Sequence, residues 1–291
     1  MRAPLLAAVA MLAGLLAPAL DCKAQQSSTA SPAGASSASP SAPQAAGGAP
    51  TGVSANRLII SGDADALEDP SAGGGGGSLT YLHDFSSGVL GAAGEYDTLA
   101  NAHWEFGSLT GAVNFGTPAD KWTLYGEAHE GVGDIGTYYG LQRFDYDVEA
   151  AGVDAAFAGK VILQLDSHQY DIDTAHGNLP KAGVGVLWTP HFETSVSFAH
   201  SVSGNLGTQL TTVRLDYFGP ISWVAGGATG FAAPPVLNIV TGALGPAPPY
   251  REGFLGFTKT FRRVDWGLLA DYIKLGEVKR YTLTGTCTLH L

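Results

Sequence analysis

Cysteine is nearly absent from this 291-residue chain, which has only Cys22 and Cys287. Charged residues make up 14% of it, and cations are the rarer kind: 15 Lys and Arg against 26 Asp and Glu, a net charge of -11. The shortage of cations, with no basic patch, excludes a nucleic-acid-binding surface. Long apolar runs are confined to the amino terminus, and no later stretch reaches the roughly 20 residues that a spanning helix needs. Helical spacing is missing from the body of the chain as well. What is plentiful is glycine, with 40 residues, together with aromatics at 10%.

Met1 to Ala24 divides into a basic start at Arg2, an apolar run from Leu5 to Leu20 broken by Gly14 and Pro18, and small residues after it. That order and length predict a cleaved secretory signal over residues 1–24. Cys22 follows Asp21, a poor context for a lipidated cysteine, so it is expected to leave with the signal. Cys287 then remains alone, and no intramolecular disulfide is expected.

Gln25 to about Asn56 is built from Ser, Ala, Pro, Gly and Gln, and cannot bury enough apolar surface to offset its chain entropy. Arg57-Leu58-Ile59-Ile60 reads as a short strand or a docking segment, and Ala72 to Ser78 as a second flexible stretch. The expected organisation is therefore a signal (1–24), a disordered linker (25–76) and a β-domain (77–291).

Within that domain, short segments of alternating polarity recur between turn residues. In the last one, Tyr281, Leu283, Gly285, Cys287, Leu289 and Leu291 share a face opposite Thr282, Thr284, Thr286, Thr288 and His290. Successive side chains of a strand point to opposite sides, so this is a strand with one apolar face. Val161-Leu163-Leu165, Val213-Leu215-Tyr217, Trp266-Leu268-Ala270 and Trp122-Leu124 repeat the pattern. A soluble two-sheet sandwich in the periplasm, binding a ligand, would alternate too. The signal, the aromatics near segment ends and the ionisable residues on the polar faces favour an antiparallel up-and-down transmembrane β-barrel in the outer membrane instead. At about 10 residues per strand plus turns, the domain accommodates about 12 strands, within a range of about 10–14. Ala232 to Pro249 reads as a longer excursion able to fold over one mouth.

Arg143-Phe144-Asp145-Tyr146-Asp147, Lys160-Val161-Ile162-Leu163-Gln164, Tyr170-Asp171-Ile172-Asp173 and Ala182 to Leu187 follow one another in an order that resembles the YaiO-type outer-membrane barrel family. Ser197 to Ser201 and Thr212 to Leu215 extend the likeness. The resemblance implies an outer-membrane location, surrounding lipid and the barrel assembly machinery as partners, and no defined activity. One departure is the terminus: strands read by that machinery end in an aromatic, and this chain ends in Leu291.

The chemistry follows from the polar faces. Glu127 with His129, and Asp166 with His168, each occupy one face of a strand, and His with carboxylate suits either metal ligation or proton shuttling. Two ligands do not make a metal site, so neither metal nor cofactor is expected. Arg143, Asp145, Arg214, Asp216 and Asp271 complete the expected polar lumen, with Asp147 and Asp265 beside them. Such a network either plugs a barrel or tunes its selectivity. The expected function is a narrow pore for a small solute or polysaccharide, or an export or scaffold component, without catalysis. The enzyme alternative is a lipid-modifying hydrolase using His200 and a nearby serine. Alternation opposes it, because His200 shares its face with Phe198 and Val202 while Ser201 and Ser203 point away.

Overall fold

In the computed structural model, residues 56–68, 71–117, 120–137, 140–172, 175–205, 207–232 and 247–291 are described. The expected signal, most of the linker, Tyr138, Tyr139 and the middle of the 232–249 excursion lie outside them.

The described residues form strands and turns. β1 (Asn56–Glu68), β2 (Ala72–Phe85), β3 (Gly88–Leu99), β4 (Ala102–Gly116), β5 (Lys121–Thr137), β6 (Gly140–Phe157) and β7 (Val161–Ile172) lead into β8 (Ala175–Thr189) and β9 (Phe192–His200). Then come β10 (Gln209–Tyr217), β11 (Ile221–Phe231), β12 (Pro249–Phe261), β13 (Val264–Leu275) and β14 (Val278–His290). A two-residue bridge, Ser203–Gly204, pairs with the start of β8. Each strand is antiparallel to the next, and β14 pairs back onto β1 from Arg57↔His290 to Glu68↔Lys279, closing a barrel of 14 strands. Closure leaves no sheet edge to protect. It also removes the two-sheet sandwich, since there is one continuous sheet.

Two strands come from residues assigned above to the linker. Asn56–Glu68 is β1, and the glycine run Gly73 to Gly77 lies within β2, in register with both β1 and β3. Glycine has no side chain to alternate, so the usual strand signal is missing there while the backbone ladder is intact.

Parity sets the two faces. Ile60, Leu79, Leu109, Leu165, Val213, Leu255, Trp266 and Leu283 point outward and are exposed by 46–56%. Large apolar residues in that number on the outer wall of a closed barrel form a lipid-compatible band. The start of β1 at Asn56 and the end of β14 at His290 lie at one end of the barrel, here the terminal end, and Ala232 and Pro249, which flank the 232–249 excursion, lie at the other, the loop end. The backbone of Ala232 donates to Pro248 O at 3.2 Å and ties the base of that excursion together.

The wall is uneven in height. β5 and β6 have 17 and 18 residues, whereas β9 and β10 have 9 each. About 9–11 residues suffice to cross a bilayer, so the β5–β6 hairpin rises beyond the apolar band. Along β6 the polarity of the faces changes over. Val153 and Phe157 point outward near the terminal end, opposite inward Asp154; towards the loop end Arg143, Asp145, Asp147 and Glu149 point outward, opposite inward Phe144, Tyr146 and Val148. Beyond the band water wets the outside, and the inside is packed apolar instead.

Candidate functional site

Along β4–β7 the lumen wall is chemically divided, whereas Asp97 of β3, buried and in register with Trp104, places a carboxylate at the loop end as well. At the loop end Leu67, Leu99, Trp104, Phe144, Tyr146, Ile172, Tyr250 and Leu275 form one apolar cluster, which draws on nearly every strand. Tyr146, Leu99 and Ile172 are buried to within 1% of full exclusion. β5 is shaped to seat the aromatic members. Phe106 and Tyr146 are each in register with Gly131, and Trp104 and Phe144 with Gly133. The Phe106 and Tyr146 rings stack over that glycine at 5.0 Å and 9°. A Cβ on Gly131 would meet the Glu105 carbonyl at 2.1 Å, and one on Gly133 would meet the Phe144 ring at 2.2 Å.

Towards the terminal end the lumen turns polar. His168 Nε2 lies 3.0 Å from Asp166 Oδ1, Lys181 Nζ 3.4 Å from Asp166 Oδ2, and His129 Nε2 3.7 Å from Glu127 Oε1. β5 and β7 are not neighbours, yet these pairs come together because β6 offers small residues between them. Glu127 and His168 are both in register with Ala150, and Tyr125 and Asp166 with Gly152. The Tyr125 hydroxyl donates to Asp166 Oδ2 at 3.3 Å across that glycine. His129 Nδ1, His168 Nδ1 and the Tyr170 hydroxyl are buried with no protein partner among the described residues. The Phe106 ring packs edge-on against His129 at 5.3 Å, and His168 stacks on Tyr170 at 6.2 Å, so the apolar and polar halves meet here.

Gly152→Val tests this arrangement. Its Cβ would lie 2.4 Å from the Tyr125 ring and 2.7 Å from Asp166 Cβ. The Tyr125–Asp166 bridge is expected to be lost, with a penalty of about 1–3 kcal/mol for overpacking. The midpoint temperature of the heat-dependent gel shift would fall, and an unchanged midpoint would refute the contact.

Other candidates named from the sequence also face the lumen. Arg214 and Asp216 share the inner face of β10 and are joined by bonds of 2.8 Å, at the terminal end. Asp271 faces inward on the same register row as Thr282 and Asp65. Asp265 faces inward and receives His290 Nε2 at 2.8 Å. Arg143 and Asp145, with Asp147, do not line the lumen: they are exposed on the outer wall of the raised hairpin, because the faces have changed over there. Among the described residues no cluster of three or more His, Cys, Asp or Glu has the geometry to hold a metal. His200 projects outward, exposed, with its ring stacked on Phe198 at 6.3 Å.

An ion pair that the sequence analysis did not single out sits in the loop half of the lumen, with Arg280 in register with Leu67 of the apolar cluster. Arg280 donates to both oxygens of Asp65, at 2.9 and 2.7 Å, and Thr282 donates to the same carboxylate at 2.6 Å. The side chains of Arg280 and Asp65 are only 6% and 3% exposed. Carrying the alternation of β14 two residues back from Thr282 would have put Arg280 on the face of Thr282 and Thr284. Arg57 makes a second bidentate contact, to Asp84 at 2.8 Å, at the terminal end.

No protein-family profile matches the chain, and no curated protein matches it in sequence. Solved structures do match in shape. The CymD monoaromatic hydrocarbon channel superposes with a TM-score of 0.57 at 10% identity, over 82% of this chain and 89% of that one. The Pseudomonas putida toluene transporter TodX superposes with a TM-score of 0.51 at 8% identity, again over 82% and 89%. The fold is that of a transmembrane β-barrel. At such identities the likeness is one of architecture.

Proposed function

We propose that this chain is an outer-membrane barrel forming a narrow pore for small solutes that have an apolar body and a hydrogen-bonding group. The observation that carries this is the lumen lining of β4–β7, apolar at the loop end and polar beneath it. A molecule entering from the loop end meets the Trp104–Phe106–Phe144–Tyr146 cluster and then, beneath it, His129 Nδ1, His168 Nδ1 and the Tyr170 hydroxyl, which have no protein partner among the described residues. An apolar collar strips water from the solute, and the buried donors and acceptors below it replace part of that hydration. The packed collar favours a small solute over a polysaccharide, whose hydroxyls would be left unpaired there. The hydrocarbon channels that share this architecture agree with the collar's chemistry.

The same reading puts lipid around the apolar band, the loop end outside the cell and the expected tether in the periplasm, with the barrel assembly machinery inserting the chain. The YaiO-type resemblance agrees with that compartment and adds no activity. Ion pairs across the lumen equally suit a closed barrel serving an export or scaffold assembly, and transport separates the two. Purified protein in liposomes is expected to admit phenol-sized aromatics faster than sugars of equal mass, with small conductance in planar bilayers. A heat-modifiable barrel that inserts stably but passes neither solute nor current would reject the pore. Release of the protein by osmotic shock without detergent would reject the membrane location itself.

A further inference from the structure

The outer wall carries a cation row that the lumen reading does not use. Arg251 on β12, Lys274 on β13 and Lys279 on β14 are directly opposite one another in register, all facing outward near the loop end. Like charges placed opposite each other on adjacent strands are unfavourable without an anion between them. Lys279 is joined to Glu68 at 2.7 Å, and no carboxylate among the described residues pairs with Arg251 or Lys274. The chain has only 15 Lys and Arg in all, and the corresponding outer wall of β5–β7 is acidic, with Glu130, Asp147 and Asp171 in register.

Directly below the cations lies an apolar groove of about 690 Å³. The next outward row is Gly253, Tyr272, Tyr281 and Ala66, and the one after it Leu255, Ala270, Leu283 and Ala64. Between these rows the groove is also lined by Asp65, Thr282, Asp271, Phe254 and Gly226, one register row whose parity faces the lumen. Gly253 has open space where a Cβ would stand, and the Tyr272 and Tyr281 rings lie 5.2 Å apart just under the cation row. Cations above tyrosines above a recessed apolar strip match an amphiphile with anionic heads and hydrocarbon chains.

We infer that this wall binds a phosphorylated acyl glycolipid of the outer leaflet, of the lipopolysaccharide class. Its phosphates sit on Arg251, Lys274 and Lys279, and one acyl chain lies along the groove. Arginine and lysine supply charge-assisted hydrogen bonds to phosphate oxygens. The two halves of the site recognise the two halves of one molecule. The inference rests on the outer-membrane reading, which turns the loop end outward.

Native mass spectrometry of the detergent-purified full chain, offered lipid A, dephosphorylated lipid A or phosphatidylglycerol, tests it. The unaltered protein is expected to retain lipid A in preference to the other two. Arg251→Ser/Lys274→Ser/Lys279→Ser is expected to weaken retention by about 10-fold or more, a loss of at least about 1.4 kcal/mol of binding. Ala64→Phe, which fills the groove and leaves the cations in place, is expected to weaken it independently. Both variants should keep the heat-dependent gel shift of the barrel. Equal retention of lipid A by the triple variant, or of dephosphorylated lipid A by the unaltered protein, would overturn the inference and leave the barrel in its membrane. Osmotic-shock release of the unaltered protein would overturn both.

Discussion

Replacing Tyr146 with alanine is expected to destabilise the barrel by about 3–5 kcal/mol, as truncation of a large buried ring does, and to raise its conductance. The ring is 1% exposed, stacks on Phe106 and sits in register with Gly131, so no neighbour on β5 can move in to fill the void. The same void lies in the collar that narrows the lumen, so stability and permeability should change in opposite directions. Urea unfolding from lipid vesicles reads the first and planar bilayers the second. Leu141→Ala on the same strand is the control: that side chain is 76% exposed, and its loss is expected to stay within about 0.5 kcal/mol. A Tyr146→Ala barrel as stable and as silent as the parent would mean that the collar does not constrict the pore.

Arg280→Ala should have an effect of similar size for a different reason. It removes a guanidinium that donates twice to Asp65 and leaves that carboxylate buried at 3% exposure. Breaking one partner of a buried pair costs about 3–5 kcal/mol, most of it the stranded charge. Removing both is milder, and Asp65→Leu/Arg280→Met is expected to regain much of the loss. The double variant separates a penalty for unpaired charge from a general need for Arg280. If Arg280→Ala and the double variant unfold at the same urea concentration, the stranded carboxylate is not the cause. The pair also spans the closing seam, β1 to β14, so any loss should show in the gel-shift assay of barrel closure.

Much of this architecture can be read from the residues where side chains report it. β14, β13, β10 and β7 alternate between branched or aromatic residues and polar ones, and they fold with the faces so predicted. Fourteen strands form where about 12 were the central expectation, because β1 and β2 carry little bulk. β1 alternates Asp63 and Asp65 with Gly62, Ala64 and Ala66, and five glycines of β2 carry no side chain at all. In the lumen, Glu127, His129, Asp166 and His168 are legible one strand at a time. Their meeting depends on Ala150 and Gly152 of the strand between, a relation of register that no single segment contains. Arg143 and Asp145 show the opposite failure. The alternation there is plain, but which face is inside depends on where the wall leaves the lipid, and the hairpin outruns that level.

The seam between β1 and β14 has a kinetic consequence. Arg57 must find His290, and the backbone of Leu291 donates to Asn56 O at 2.9 Å, so these hydrogen bonds join residues from opposite ends of the folded domain. Contacts so distant along the chain carry a large loop-closure cost and form slowly. Until they do, both outermost strands are open templates for a neighbouring molecule. The thirteen hairpin-to-hairpin pairings can form locally, and the fourteenth is the slow step that commits the molecule. Apart from the buried Arg280–Asp65 pair, substitutions at this junction should therefore act more on the rate of assembly, and on losses to aggregation, than on the stability of the finished ring.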